Sequence, residues 1–275
     1  MANNPLEQFF RQPKIFIKLP SQGVYNEQGS ITGEVSNMPV YSMTAMDEII
    51  AKTPDALFTG ESMVRMIQSC CPNIKNAWDV SMIDSDLIFT AIRIATYGNM
   101  INVTHTCPKC SETNEYELDL ARVVEHFSAC KYDNVVTLDK ISIRTRPVNY
   151  KRNTELQMKQ YQLNKQLLQL EEQEETEEKQ KKINEMFKII ADIQTEFFID
   201  SVESIDTGKQ VVTEKTFIAE FMKNCDKEIY DAIKRHIELN QKNWLIPKYD
   251  VKCTNCDSDN AITVNLDQSN FFDNA

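Results

Sequence analysis

Apolar and polar residues alternate from Lys14 to Leu19 with the two-residue period of a strand, and Pro20-Ser21-Gln22-Gly23 turns the chain out of it. A second strand is expected from Gly33 to Tyr41. The period then lengthens. Thr44 stands three residues before Asp47, the spacing of a helix-opening cap, and Thr53-Pro54 sets a cap donor before a proline suited to the first helical position. Short helices are therefore expected at 45–52, 54–58 and 61–71, the last stopped by Pro72. A stronger helix runs from Asp84 to Tyr97, where Leu87, Ile88, Ala91, Ile92 and Ala95 share one face and Gly98 stands at the place of a left-handed C-cap.

Beyond Gly98 the alternation returns twice, and each time a Cys-x-x-Cys turn interrupts it. Val103-Thr104-His105-Thr106 precedes Cys107-Pro108-Lys109-Cys110, and 116–120 follows. Tyr249-Asp250-Val251-Lys252 precedes Cys253-Thr254-Asn255-Cys256, and 261–266 follows. A helix leads into each: 84–97 into the first and Lys227 to Asn240 into the second. Between the two copies, 121–127 predicts a short helix, and 135–146 predicts strands around an Asp139-Lys140 turn ended by Pro147. Thr207-Gly208-Lys209 reads as a turn, Val211-Val212 as a short strand and 214–223 as a helix.

The stretch 149–202 differs from everything around it, being rich in Gln, Glu, Lys and Leu and free of Gly and Pro. Leu156, Leu163, Leu167 and Leu170 form one stripe; Ile183, Met186, Phe187, Ile190, Ile193 and Phe197 form another, out of heptad phase with the first. One long helix with a solvated, charge-paired middle satisfies this pattern. So does a helical hairpin of coiled-coil type reversing near 172–176. The hairpin is preferred, because it lets the two apolar faces bury each other.

A tetrahedral structural zinc needs four ligands, and each Cys-x-x-Cys turn offers two. The expected site is one Zn2+ held by Cys107, Cys110, Cys253 and Cys256, a ribbon assembled from two knuckles. Its spacing is unusual, since residues 111–252 all lie between the pairs, against about 15 to 20 residues in common four-cysteine sites. Two separate redox or disulfide turns and uncoordinated thiols are the alternatives. A redox turn, however, wants its first thiol at the start of a helix, and Ser111-Glu112-Thr113-Asn114 leads into a strand.

The totals narrow the function. The net charge of −11 disfavours a phosphate backbone as partner. No apolar run is long enough to span a membrane, and the first residues carry no export signal, so a reducing compartment is expected, where cysteines bind metal or lie buried. Cys70, Cys71, Cys130 and Cys225 are expected to be small buried side chains. Of the histidines, His105 is weighed as a stray ligand, His236 as a hydrogen-bonded core residue, and His126 has no partner at metal or triad spacing. With 6 glycines the chain has no phosphate-cradling loop, and no catalytic constellation is visible.

These elements, in this order, resemble the baseplate hub proteins of T-even-like contractile-tailed phages. The resemblance is carried by Phe16-Ile17-Lys18-Leu19-Pro20-Ser21-Gln22-Gly23-Val24-Tyr25, Met38-Pro39, Met46-Asp47-Glu48, Thr53-Pro54-Asp55-Ala56-Leu57, Gly60, Cys70, Asp86-Leu87 and 91–98. The knuckles, Arg146-Pro147 and Phe271-Phe272 add to it. It covers 14–147 and 200–272, with 149–202 an expansion. It implies a non-enzymatic structural or assembly subunit that binds other baseplate hub proteins inside the infected bacterium, whether or not it stays in the virion. Neither a small-molecule substrate nor a membrane is implied, and a zinc-ribbon nucleic-acid-binding module is the alternative. The expected fold is α+β, mixed helices and short antiparallel strands, in three segments. These are 1–148 with the first knuckle, 149–202 as the helical insertion, and 203–275 with the second knuckle.

Overall fold

The computed structural model describes residues 5–51, 59–138, 140–171 and 176–264. In chain order these form β1 (Pro13–Ile17), β2 (Met38–Tyr41), α1 (Ala45–Ala51), α2 (Glu61–Cys70), α3 (Met82–Tyr97), β3 (Met100–Thr106), β4 (Thr113–Asp119) and α4 (Ala121–Ala129). There follow β5 (Val135–Leu138), β6 (Ile141–Thr145), α5 (Tyr150–Glu171), α6 (Glu177–Asp200), β7 (Val202–Asp206) and β8 (Val211–Val212). The chain ends in α7 (Lys215–Asn224), α8 (Lys227–Asn243), β9 (Lys248–Lys252) and β10 (Asp259–Thr263). The fold is α+β, and its ladders are antiparallel. The helix expected at 54–58, Asp139 of the β5–β6 turn, the reversal at 172–175 and Phe271-Phe272 lie outside the described residues.

Packing divides the chain into two units, Met1–Lys131 with Trp244–Ala275, and Tyr132–Asn243. These boundaries follow contacts, whereas the segments 1–148, 149–202 and 203–275 follow composition. In sequence, the second unit stands between the two knuckles, and both knuckles belong to the first.

In the first unit α3 is the central element. Leu87, Ile88 and Ile92 are fully buried, and it packs against β1, β2, α2 and α4. It begins at Met82, two residues before the expected Asp84. Asp84 is occupied otherwise: its carboxylate accepts from the Ser21 amide at 2.9 Å, the Ser21 hydroxyl at 2.5 Å and Asn26 Nδ2 at 2.9 Å, fastening the 20–26 loop to the helix. Gly98 ends α3 at φ 90 and ψ 177, an extended positive-φ conformation essentially confined to glycine, not the left-handed cap expected. The cap of α1 is as expected. Thr44 donates its amide and hydroxyl to Asp47 Oδ2, both at 2.8 Å, and its Oγ1 accepts from the Asp47 amide at 3.2 Å. The strand expected from Gly33 begins only at Met38. Gly33 has φ 78, residues 35–36 form a turn, and the Val35 carbonyl bonds the Leu19 amide at 2.9 Å.

The second unit is a four-stranded sheet, β5-β6-β7-β8, covered by helices. Ile143, Val202, Ile205, Ile218, Met222, Ile233, Ile237 and Phe198 form its core. The hairpin α5–α6 leaves the sheet after β6 and re-enters at β7, and these strands are neighbours, with Thr145 opposite Val202. The two helices run antiparallel. Arg152 Nε meets Asp200 at 2.6 Å, its Nη2 meets Glu196 at 3.0 Å, and Lys159 reaches Glu196 at 3.2 Å. Leu156, Met186 and Ile193 are buried between them, but Phe187, assigned to the apolar stripe, is 58% exposed. Ile183, Met186, Ile190 and Ile193 already fill the 3–4–3 seam of α6, and Phe187 falls one residue, 100°, off it.

Candidate metal centre

Each knuckle folds by the same local rule. The Cys107 amide donates to the Glu112 carbonyl at 2.8 Å and the Ser111 amide returns to the Cys107 carbonyl at 2.9 Å. In the second copy Cys253 pairs with Ser258 and Asp257 with Cys253, both at 3.0 Å. Ser111 and Asp257, each just after the second cysteine, take a left-handed backbone. The tight turn aims both sulfurs of a pair to one side. β3 with β4 and β9 with β10 form the two ladders that carry the turns.

The knuckles face each other. Tyr116 donates its hydroxyl to the Lys252 carbonyl at 3.0 Å, and Tyr249 donates to the Asp119 carbonyl at 2.7 Å, a reciprocal clasp between β4 and β9. Arg122 lies over the Tyr249 ring at 4.7 Å, and Phe127 stacks on Trp244 at 6.2 Å. Four sulfurs from distant parts of the chain thus converge. Cys107 and Cys256 are 3.8 Å apart, Cys110 and Cys253 3.6 Å, and all four ligand atoms lie within 4.8 Å of one another. A disulfide would need about 2.05 Å. A tetrahedral zinc with Zn–S near 2.3 Å would place sulfurs about 3.8 Å apart, so the donor set fits such an ion.

Burial is unequal. Cys107 and Cys253, first in each pair, are buried; Cys110 and Cys256 are half-buried. The Ser258 hydroxyl, with the Cys110 amide, holds the Cys107 thiol down to about 5. The Asn255 and Cys256 amides lower Cys253. At Cys110 the Glu112 amide pulls the pKa down, but burial and the sulfurs of Cys256, Cys253 and Cys107 outweigh it and push it up to about 11. Crowded thiolates repel one another, and a divalent cation among them would let all four ionise.

His105 is not among the clustered ligand atoms. His126 Nε2 lies 3.6 Å from Cys130 Sγ, and His236 Nε2 lies 2.9 Å from the Asp133 carbonyl. Cys70 and Cys71 are fully buried, with thiols pushed up by burial, whereas Cys130 and Cys225 are half-buried. Sequence reasoning missed the groups surrounding the sulfurs: Ser258, Asn114 and Asn260. The signal was available, because Cys-x-x-Cys is followed in both copies, after three residues, by Asn.

No helix among the described residues is long and apolar enough to cross a membrane. No curated protein and no solved structure matches the chain. A family model described as T4 bacteriophage base plate protein matches residues 41–273, a range that takes in both knuckles and everything between them. With that coverage, the chain belongs to the T4 bacteriophage base plate protein family.

Proposed function

We propose that this baseplate protein is a non-catalytic structural or assembly subunit of the tail hub, its two knuckles joined by one structural Zn2+ on Cys107, Cys110, Cys253 and Cys256. The observation that carries the reading is the convergence of four free sulfurs at tetrahedral spacing. The ion supplies a cross-link and charge neutralisation. The protein supplies the rest: tight turns that aim the sulfurs, ladders that hold the turns, and tyrosines that hold the ladders together. Its partners are other hub proteins, met in the cytoplasm of the infected bacterium during assembly. A pull-down from infected cells, read by mass spectrometry, should return tail proteins. Recovery of nucleic acid instead would favour the ribbon's other use, which the net charge of −11 disfavours.

Elemental analysis of the purified chain should find one zinc per chain. Structural zinc contributes on the order of 10 kcal/mol in small zinc-binding peptides, so Cys110→Ser should lose the metal and much of the cooperative unfolding transition. A zinc-free wild-type chain with the same stability would refute the staple.

A further inference from the structure

Each knuckle carries an asparagine at the same offset, Asn114 four residues after Cys110 and Asn260 four after Cys256. Both are buried, at 4% and 8% exposure, on β4 and β10. Asn114 Nδ2 donates to the carbonyl two residues back, Glu112, at 3.2 Å, and lies 3.5 Å from Cys253 Sγ. Asn260 Nδ2 donates to the carbonyl two residues back, Ser258, at 3.2 Å, and lies 3.9 Å from Cys107 Sγ. Each amide therefore reaches the first cysteine of the opposite knuckle.

The orientation of Asn114 follows from its neighbours. The Thr254 amide, which can only donate, points at Asn114 Oδ1 from 3.0 Å, and the Thr254 hydroxyl joins it. A flipped side chain would set N–H against N–H, so the nitrogen must face the sulfur.

We propose that Asn114 and Asn260 are crossed positioning residues of the metal centre, each donating an N–H to the buried thiolate of the other knuckle. The inference rests on the zinc reading. Four thiolates around a divalent ion leave two negative charges, and Cys107 and Cys253 are more buried than Cys110 and Cys256. Hydrogen-bond donors are what a buried anion requires. Because each donor comes from the facing knuckle, these sulfurs are stabilised only when the knuckles are docked. Docking and metal retention are thereby coupled.

The two halves are not equal. Where the second knuckle has Thr254 the first has Pro108, which has no N–H to fix Asn260, and Asn260 stands farther from its sulfur. Cys107 is compensated by the Ser258 hydroxyl at 3.2 Å. Asn114 therefore carries more weight than Asn260.

The test uses the full-length chain loaded with zinc, and separately with Co2+ as a spectroscopic probe. Asn114→Asp keeps the shape of the side chain and an oxygen for Thr254, but removes the N–H donor. It should release zinc to an excess of chelator about 10- to 100-fold faster than wild type. Its sulfur-to-cobalt charge-transfer band should move to longer wavelength, because a thiolate without its donor gives up electrons more readily. Merely filling space or tethering Thr254 would leave that band in place. Asn260→Asp should shift the band as well, with a smaller change in release; not being tied to the other knuckle's backbone, it keeps the test available if Asn114→Asp does not fold. Folded variants with wild-type release rates and spectra would overturn the inference while leaving the zinc site standing. A wild-type chain that takes up neither metal would overturn the zinc reading itself.

Discussion

Ser111 and Asp257 follow the second cysteine of their knuckles with φ of 61 and 51, a region that costs an ordinary L-residue about 1 to 2 kcal/mol and glycine almost nothing. Glycine loses more backbone entropy on folding, about 0.5 to 1 kcal/mol, so the net gain from substitution is small. Ser111→Gly should raise stability by about 0.5 kcal/mol, and Asp257→Gly should be near neutral, since aspartate's short polar side chain already tolerates the conformation. Thermal unfolding of the zinc-loaded variants measures both; a clear loss at Ser111 would mean that its side chain does something the backbone argument omits. Asp86 on α3 poses a different residue-scale problem. Burial pushes its carboxyl up to about 6. A folded pKa above the unfolded one favours the folded chain while the group is protonated, so this contribution is present below about pH 4 and is lost as pH rises through 6. Asp86→Asn cannot ionise. It should match wild type near pH 4 and be more stable at pH 8 by about 1 to 2 kcal/mol, the full linkage value being discounted because Asp86 keeps part of its surface in solvent. Equal stabilities at both pH values would show that the ionised carboxylate is better solvated than its position suggests.

At the scale of elements, the hairpin α5–α6 is held at its base by Arg152 with Glu196 and Asp200, and along its seam by Leu156, Met186 and Ile193. The exposed ion pairs contribute little individually, so the seam dominates. Ile193→Asp buries a charge where the helices meet and should cost about 3 kcal/mol or more in denaturant unfolding. Phe187→Glu, on the outer face, should change stability by less than about 0.5 kcal/mol. If Phe187→Glu proves the worse of the two, the seam is misplaced. The sequence announced this hairpin through its leucine and isoleucine stripes, and the knuckle strands through the alternation around each Cys-x-x-Cys, because local periodicity is a local property. What it did not announce depends on neighbours distant in sequence. The strand expected from Gly33 shortened because Val35 turns to meet Leu19, the Asp84 carboxylate fastens the distant loop of Ser21 and Asn26 to α3, and Phe187 lay one residue off a seam already filled. That the four cysteines come together was legible from their spacing alone. Asn114 and Asn260 were not singled out, although both knuckles repeat them at the same offset, because the repeat alone does not say which sulfur each one faces.

At the scale of the molecule, the chain leaves the first unit at residue 131, builds the second, and returns at 244 to supply Cys253 and Cys256. Cys110 and Cys253 are 143 positions apart. A zinc joining them, as proposed, would remove about 5 kcal/mol of chain entropy from the unfolded state in the loop-closure treatment. With that cross-link in place the hairpin would not be needed to hold the fold together. It enters and leaves the sheet through adjacent strands, and it carries Tyr161, Leu168, Phe187 and Ile189 exposed at 54%, 63%, 58% and 46%. Its place in the protein is understood if it binds another baseplate component. Replacing residues 158–192 by a Gly/Ser linker of about six residues, long enough to span the hairpin base, would spare Arg152, Glu196, Asp200 and the core residue Phe198. The shortened chain should keep one zinc and a cooperative unfolding transition, because the removed residues belong neither to the sheet core nor to the knuckles. Loss of either would make the hairpin part of the folding core and not a separable arm. Tails from phage carrying the deletion should then lack an assembled baseplate centre in electron micrographs, although the protein itself is folded and metal-loaded. Complete hubs built from the shortened chain would rule out the arm as the docking element and move the search to the exposed side chains of the sheet unit, Val211, Phe217 and Leu239.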